Sequence, residues 1–224
     1  MVWLKTILFS LLIIVLLNGC TRNQEGVIEY NISYDQSPDD NPLINLMPTS
    51  MDFYFKDQKV LTQIQGWMGI FKSTQLSDLD DSTNVLMMKL LDKKYYYVRH
   101  LRDAPLAFET LDIKSIEYLK KDTAYKGFNC NHARVYMNDS AATEFDLLYT
   151  DEINIPSPNR NNPFSEIPGV LMQFRMEFKG ISLQLDFKDY RDTVFPETTF
   201  AIPSSYEKIS RKKMSDFFNE LNAM

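Results

Sequence analysis

Only two imidazoles, His100 and His132, occur in the 224 residues of the chain, so histidine chemistry has few places to reside. His132 follows Cys130 by two positions, and on a strand both side chains point to one face. A thiolate beside an imidazole can ligate zinc or form a nucleophile pair. No second Cys or His lies nearby, and zinc wants at least three protein ligands, so the pair reads first as a buried cysteine next to a surface or hydrogen-bonded histidine. Asp78, Asp80, Ser82 and Asn84 alternate as at the start of a calcium loop, but Thr83 and Lys89 stand where that loop needs Gly and Glu. A solvated turn is the expectation there. No Gly-x-Ser-x-Gly occurs, and Glu109, Asp112, Glu117, Asp151 and Glu152 show no spacing that singles out a general acid and base. The chain is therefore expected not to be an enzyme and to need neither metal nor cofactor.

Cys20 has a different chemistry. It follows a single positive charge at Lys5 and an apolar run from Thr6 to Leu17, the order of a secretory signal. That run falls short of the about 20 apolar residues a spanning helix requires. Leu17-Asn18-Gly19-Cys20 resembles the lipobox of bacterial lipoproteins, with Asn18 a less usual occupant of its position. The resemblance implies cleavage before Cys20 and acylation of its thiol and new amino group, with palmitate among the chains. Two or three acyl chains hold a protein on a bilayer far longer than one. The expected division is a signal peptide over 1–19, a lipidated tether over 20–25 and a single β-rich domain over 26–224.

The formal charge is −6, and loss of Lys5 with the signal makes it more negative. Apart from Arg211-Lys212-Lys213 no basic cluster is present, which argues against nucleic acid as a partner and against electrostatic adhesion to anionic lipid. With Cys20 acylated, Cys130 is the remaining cysteine, so an internal disulfide is excluded and the core must stabilise the fold. Gly is sparse at 7 residues against 15 Phe and 12 Tyr, a bias that suits strands.

The elements that would position these residues are mostly strands. Ile28, Tyr30, Ile32 and Tyr34 alternate with Val27, Glu29, Asn31 and Ser33. Gln36 to Thr49 reads as a loop, Met51, Phe53 and Phe55 resume the period of two, and Asp57-Gln58 makes a hairpin turn. Further strands are expected over Val60–Trp67, Asn84–Leu91, Tyr95–Val98, Ile113–Leu119, Phe128–Met137 and Thr143–Tyr149, with a loop or short helix over Asp103–Leu111 and a polar loop from Pro156 to Pro163. The clearest hairpin sets Val170, Met172, Phe174, Met176 and Phe178 against Ile181, Leu183, Leu185 and Phe187 around Gly180. A closing amphipathic helix is expected from Met214, Phe217, Phe218 and Leu221, with Ser204 and Glu207 at capping-box spacing.

Strands with one apolar face must close on themselves or be covered. The expected fold is mainly β: a strongly curved antiparallel sheet or open half-barrel with a C-terminal helix, a β-sandwich being the alternative. Methionine adapts to irregular apolar partners, so Met172, Phe174, Met176, Leu183 and Leu185 are the candidate ligand-facing residues of an acyl-accepting cavity; an ordinary filled core is the other reading. Tyr96 should face away from Tyr95 and Tyr97, leaving one side as core and the other as a contact surface.

Four segments carry a family resemblance: Gly26-Val27-Ile28-Glu29-Tyr30-Asn31-Ile32, Gly127-Phe128-Asn129-Cys130-Asn131-His132-Ala133, Leu148-Tyr149-Thr150-Asp151-Glu152-Ile153 and Ile167-Pro168-Gly169-Val170-Leu171-Met172. Together they are similar to the GLPGLI family and related exported domains of unknown function. Pro168 and Gly169 match the namesake motif, and Glu166 or Ile167 replaces its first Gly. The resemblance implies a half-barrel of the LolA/LolB and RseB type and, with it, binding of a lipid or lipidated client, with no catalytic residues carried over. Two functions follow as expectations: a non-catalytic lipid-binding module, or a structural accessory that docks an envelope protein. Thr21 to Glu25 contains no acidic run and no Asp directly after Cys20, so the expected location is the outer membrane, lipid-anchored and facing the periplasm.

Overall fold

The computed structural model describes residues 25–66, 69–103, 111–178 and 181–222. Cys20, the signal, the turn at Gly180 and most of the Asp103–Leu111 segment lie outside the described residues. Twelve strands among the described residues form one curved sheet: β1 (Glu25–Tyr34), β2 (Ser50–Lys56), β3 (Lys59–Gly66), β4 (Phe71–Asp78), β5 (Thr83–Leu90), β6 (Lys93–His100), β7 (Ile113–Tyr125), β8 (Phe128–Met137), β9 (Glu144–Thr150), β10 (Val170–Phe178), β11 (Ile181–Asp192) and β12 (Glu207–Lys208). Their order is β12-β6-β5-β4-β3-β2-β1-β11-β10-β9-β8-β7, antiparallel except where β12 runs parallel to β6. The ends of this order do not pair with each other, so the sheet is an unclosed barrel wall. The sandwich alternative fails because the strands form one continuous sheet. β1 sits at its centre and joins two meanders, β2–β6 and β7–β11.

Sharp turns keep the meanders local. Asp57 (φ 51°) turns β2 into β3, and Lys126 and Gly127 (φ 51° and 89°) form the two-residue turn from β7 to β8. Two successive positive φ values define a type I′ turn, whose twist matches that of the strands it joins. Register shifts at Glu29/Tyr30, Leu171/Gln173, Ile113/Ser115 and Leu119/Asp122 add unpaired residues, which bend strands and increase their twist.

The sheet is covered on both faces over its β2–β6 half. On the inner face, Leu86, Met88 and Leu90 of β5 pack with Ile209, Met214 and Phe217, the last two on the helix α1 (Arg211–Asn222). On the outer face, Leu61, Leu76, Val85 and Met87 pack under Phe200, with Phe195, Ile202 and Tyr206 beside them. The C-terminal segment therefore straps the outer face, pairs with the β6 edge at Tyr95 and Tyr96, and returns as α1 on the inner face. This corrects the expectation for the tyrosines. Tyr95 lies edge-on to Phe217 at 5.2 Å, while Tyr96 belongs to the outer cluster, so neither side is an open contact surface.

The helix also starts later than its capping-box spacing implies. Glu207 pairs in β12, and Ser210 is the cap: its Oγ accepts from the Lys213 N–H at 3.2 Å and its carbonyl from the Met214 N–H. β4 (FKSTQLSD) was not among the expected strands, because its buried Ser73, Thr74 and Ser77 hide the apolar alternation. No helix among the described residues is long and apolar enough to cross a membrane.

Candidate functional site

Pairing register sets one row of side chains across the inner face: Tyr30, Met51, Ile64, Ser73, Met88 and Tyr95, on β1 to β6 in turn. A second row runs Ile28, Phe53, Thr62, Gln75, Leu86 and Tyr97. Both rows are apolar at their ends and polar in the middle, at Thr62, Ser73 and Gln75. On the other side of β1, Ile32 is level with Leu185 and Phe174, and Tyr34 with Leu183 and Met176.

These rows do not meet a uniform layer above them. The segment after β9 lays Ile153, Ile155, Phe164 and Ile167 onto the β8–β11 half as buried core, and α1 covers β5 and β6. Between the two covers lies a cavity of about 160 Å³. Its floor is Tyr30, Ile32, Met51, Thr62, Ser73 and Gln75; its walls include Phe174, Met176, Leu183 and Leu185; Met47, Pro48, Pro158, Asn161 and Phe218 close over it. Among the described residues, every lining side chain is uncharged.

Four of the five residues expected to face a ligand, Phe174, Met176, Leu183 and Leu185, thus line one cavity. Met172 is fully buried but is not on the wall. Strand β10 advances two residues, Leu171 to Gln173, while β9 advances one, so Met172 is the inserted residue of a bulge and the alternation resets around it. Val170 and Leu171 reach the wall instead. The Tyr30 hydroxyl donates to the carbonyl of Leu171 at 2.9 Å, which ties the bulge to the central strand. Burial holds this phenol well above its ordinary pKa, and it pushes Tyr34, whose hydroxyl donates to the Pro48 carbonyl, up to about 12. Both tyrosines remain neutral donors.

The expected polar loop from Pro156 to Pro163 is present, and it borders the cavity as a lid whose polar groups are mostly partnered. Asn159 Nδ2 donates to the carbonyls of Ile167 and Gly169, each at 2.8 Å, and Asn162 Oδ1 accepts from the Phe164 N–H at 2.8 Å. The Arg160 guanidinium turns to the carbonyls of Gln58 (3.2 Å) and Pro156 (2.9 Å), and burial pushes it down to about 10, so it stays charged at neutral pH. Asn161 Oδ1, like Arg160 Nε beside it, is shielded from solvent and has no partner. Sequence reasoning missed this residue, because a run of asparagines beside Arg160 reads as solvated loop.

The lid is anchored where the chain needs glycine. A Cβ on Gly169 would come within 2.5 Å of the Thr150 carbonyl oxygen, so the approach of β10 to β9 requires its absence.

The remaining candidates lie apart from this cavity. Cys130 is buried, and burial raises its thiol pKa, which keeps it protonated. His132 Nε2 is 2.7 Å from Thr123 Oγ1, its buried Nδ1 lacks a partner, and burial lowers its pKa. Asp78 Oδ1 accepts from the Asp80 and Asp81 N–H groups at 3.0 and 3.3 Å, and buried Asn84 donates to Ser77 Oγ at 3.0 Å. Among the described residues, no group of three or more His, Cys, Asp or Glu is placed to hold a metal ion.

No family model and no curated protein matches the chain. Among solved structures, LprF from Mycobacterium bovis is similar at 8% identity and a TM-score of 0.31, over 78% of this chain and 88% of its own. A putative outer membrane lipoprotein-sorting protein domain from Vibrio parahaemolyticus is similar at 10% identity and a TM-score of 0.22, over 79% of this chain and 89% of its own.

Proposed function

We propose that this chain is a non-catalytic lipoprotein of the bacterial envelope, exported by residues 1–19, tethered through lipidated Cys20, and built to hold an acyl chain or lipidated client in the cavity of its 26–224 domain. The observation that carries the reading is a cavity with uncharged lining on the inner face of an unclosed sheet, where a filled core would leave none. Its volume is close to that of an engineered apolar cavity of about 150 Å³ that takes up benzene, and below the about 300–1,000 Å³ of sites for drug-sized ligands. It suits a segment of one chain, with Met47, Met51 and Met176 able to re-pack around more. Location on the periplasmic side of the outer membrane belongs to the same proposal.

Membership of the GLPGLI family is a further part of it. The glycines of three resembling segments stand where a side chain has no room or the backbone turns: Gly26 against the Arg191 carbonyl at 2.7 Å, Gly127 in the type I′ turn, and Gly169 against Thr150. The second reading, an envelope accessory docking a protein partner, draws on the long edge strand β7, where Tyr118 is 49% exposed. Native mass spectrometry of the gently purified protein tests the first reading. Co-purifying acyl lipid is the expected result; a cavity always empty, together with no uptake of any acyl probe, refutes it.

A further inference from the structure

Resting on the acyl-binding reading, we infer that the cavity fixes the direction of its ligand: the acyl carbonyl of an ester or amide linkage lies over Thr62, Ser73 and Gln75 on β3 and β4, and the tail runs toward Leu183 and Leu185 on β11. Two observations carry this. The first is that the side chains of Thr62, Ser73 and Gln75 line the cavity and make no hydrogen bond among the described residues. Ser73 is 5% exposed, so it is not a solvated surface group. Its Oγ is nonetheless not sealed: the sealed polar side-chain atoms that lack a partner, among the described residues, are Asn84 Oδ1, His132 Nδ1, Arg160 Nε and Asn161 Oδ1. The space that Ser73 Oγ reaches is the cavity it lines.

The second observation is that these groups stand on one side. Register sets Thr62 directly opposite Gln75, and Ser73 lies two residues from Gln75 along β4. Facing side chains are about 5 Å apart at Cβ and alternate residues of a strand about 7 Å apart, so two hydroxyls and one amide, each able to donate, converge on one patch. The β10–β11 wall of Phe174, Met176, Leu183 and Leu185 is apolar, and the tyrosine hydroxyls beside it are engaged, Tyr30 with the Leu171 carbonyl and Tyr34 with the Pro48 carbonyl. A hydrocarbon segment laid over the patch displaces water from three polar groups and offers them no partner, which is unfavourable. A carbonyl oxygen there accepts from them, and the tail is left with the apolar wall.

The test uses the purified protein and three ligands of one chain length, titrated by calorimetry: methyl decanoate, decanamide and methyl decyl ether, which has no carbonyl. The ester and the amide are expected to bind about tenfold more tightly than the ether. In the double variant Ser73→Ala, Gln75→Leu that ratio should fall to about one, while the ether still binds and so reports an intact cavity. Direction is read in the wild type from isotope-edited nuclear Overhauser contacts of labelled methyl decanoate: the methylene beside the carbonyl is expected near the Thr62 methyl, and the terminal methyl near the methyls of Leu183 and Leu185. An ether that binds as tightly as the ester and amide, a ratio unchanged in the double variant, or the reverse set of contacts overturns the inference and leaves acyl binding standing. If none of the three binds, the acyl reading falls and the inference with it. Preference over the ether by only one of the two carbonyl ligands identifies the linkage as ester or amide and supports the placement.

Discussion

Replacing Phe174 with Ala distinguishes a cavity wall from an ordinary core position. The ring is 4% exposed and meets Tyr30 edge-on at 5.7 Å and Phe164 edge-on at 6.0 Å. Truncating a buried Phe to Ala costs about 3–5 kcal/mol, and each edge-to-face pair is worth about 0.5–1.5 kcal/mol beyond burial. One side of this ring already borders open space, so fewer contacts are lost there than in a filled core, and the expected loss lies near the lower end, about 3 kcal/mol. A ligand that occupies the enlarged void and ignores the unfolded chain should return about 2.7 kcal/mol at a hundred times its dissociation constant. Urea unfolding followed by circular dichroism, with and without decanamide, measures both quantities. A loss near 5 kcal/mol with no response to ligand in either protein would mean that Phe174 sits in a filled core, and the reasoning would be refuted.

Four further outcomes follow from particular contacts. Cys20→Ala should move the protein from the membrane fraction to the soluble one; a variant that stays membrane-bound and still incorporates labelled palmitate rules out acylation at this residue. Gly169→Ala forces the β9–β10 approach apart and should destabilise by about 1–3 kcal/mol, a drop of about 2–4 °C in melting temperature per kcal/mol. Ser210→Ala removes the cap of α1 and should lower stability by about 1 kcal/mol. It should also weaken ligand binding, since Phe218 of that helix lines the cavity, and an unchanged affinity would separate the helix from the site. Glu29 is held below the ordinary carboxylate value of 4.5 by hydrogen bonds from Arg191 and Lys188, so it stabilises the fold above that value and loses the contribution as pH falls through its own, lower pKa. Glu29→Gln should therefore lower the urea midpoint at neutral pH and decline less than the wild type between about pH 5 and pH 3; parallel curves would show the ion pair to be inert.

Alternation made the central strand and the β10–β11 hairpin legible, since Ile28-Tyr30-Ile32 and Phe174-Met176 face a dry side whatever covers them. It failed at β4, where Ser73, Thr74 and Ser77 are buried against neighbouring strands and covers that local sequence does not reveal. At β5 the apolar residues do not alternate with polar ones: Val85-Leu86-Met87-Met88 are all buried because the strap of 195–206 and helix α1 cover opposite faces. The capping-box spacing at Ser204 and Glu207 was a local match outcompeted by strand pairing, which draws Glu207 to the β6 edge.

The sequence by itself determined that the chain is strand-rich and antiparallel, and which faces of β1, β10 and β11 are apolar. Those properties depend on neighbours two residues apart along one strand. The cavity depends on residues far apart in the chain, and only tertiary structure decided it: a bulge removed Met172 from the wall, pairing brought Thr62, Ser73 and Gln75 beneath it, and the lid set Asn161 over it. Whether a void survives between two covers is fixed by how the lid segment and α1 divide the inner face, a matter of packing across the whole sheet.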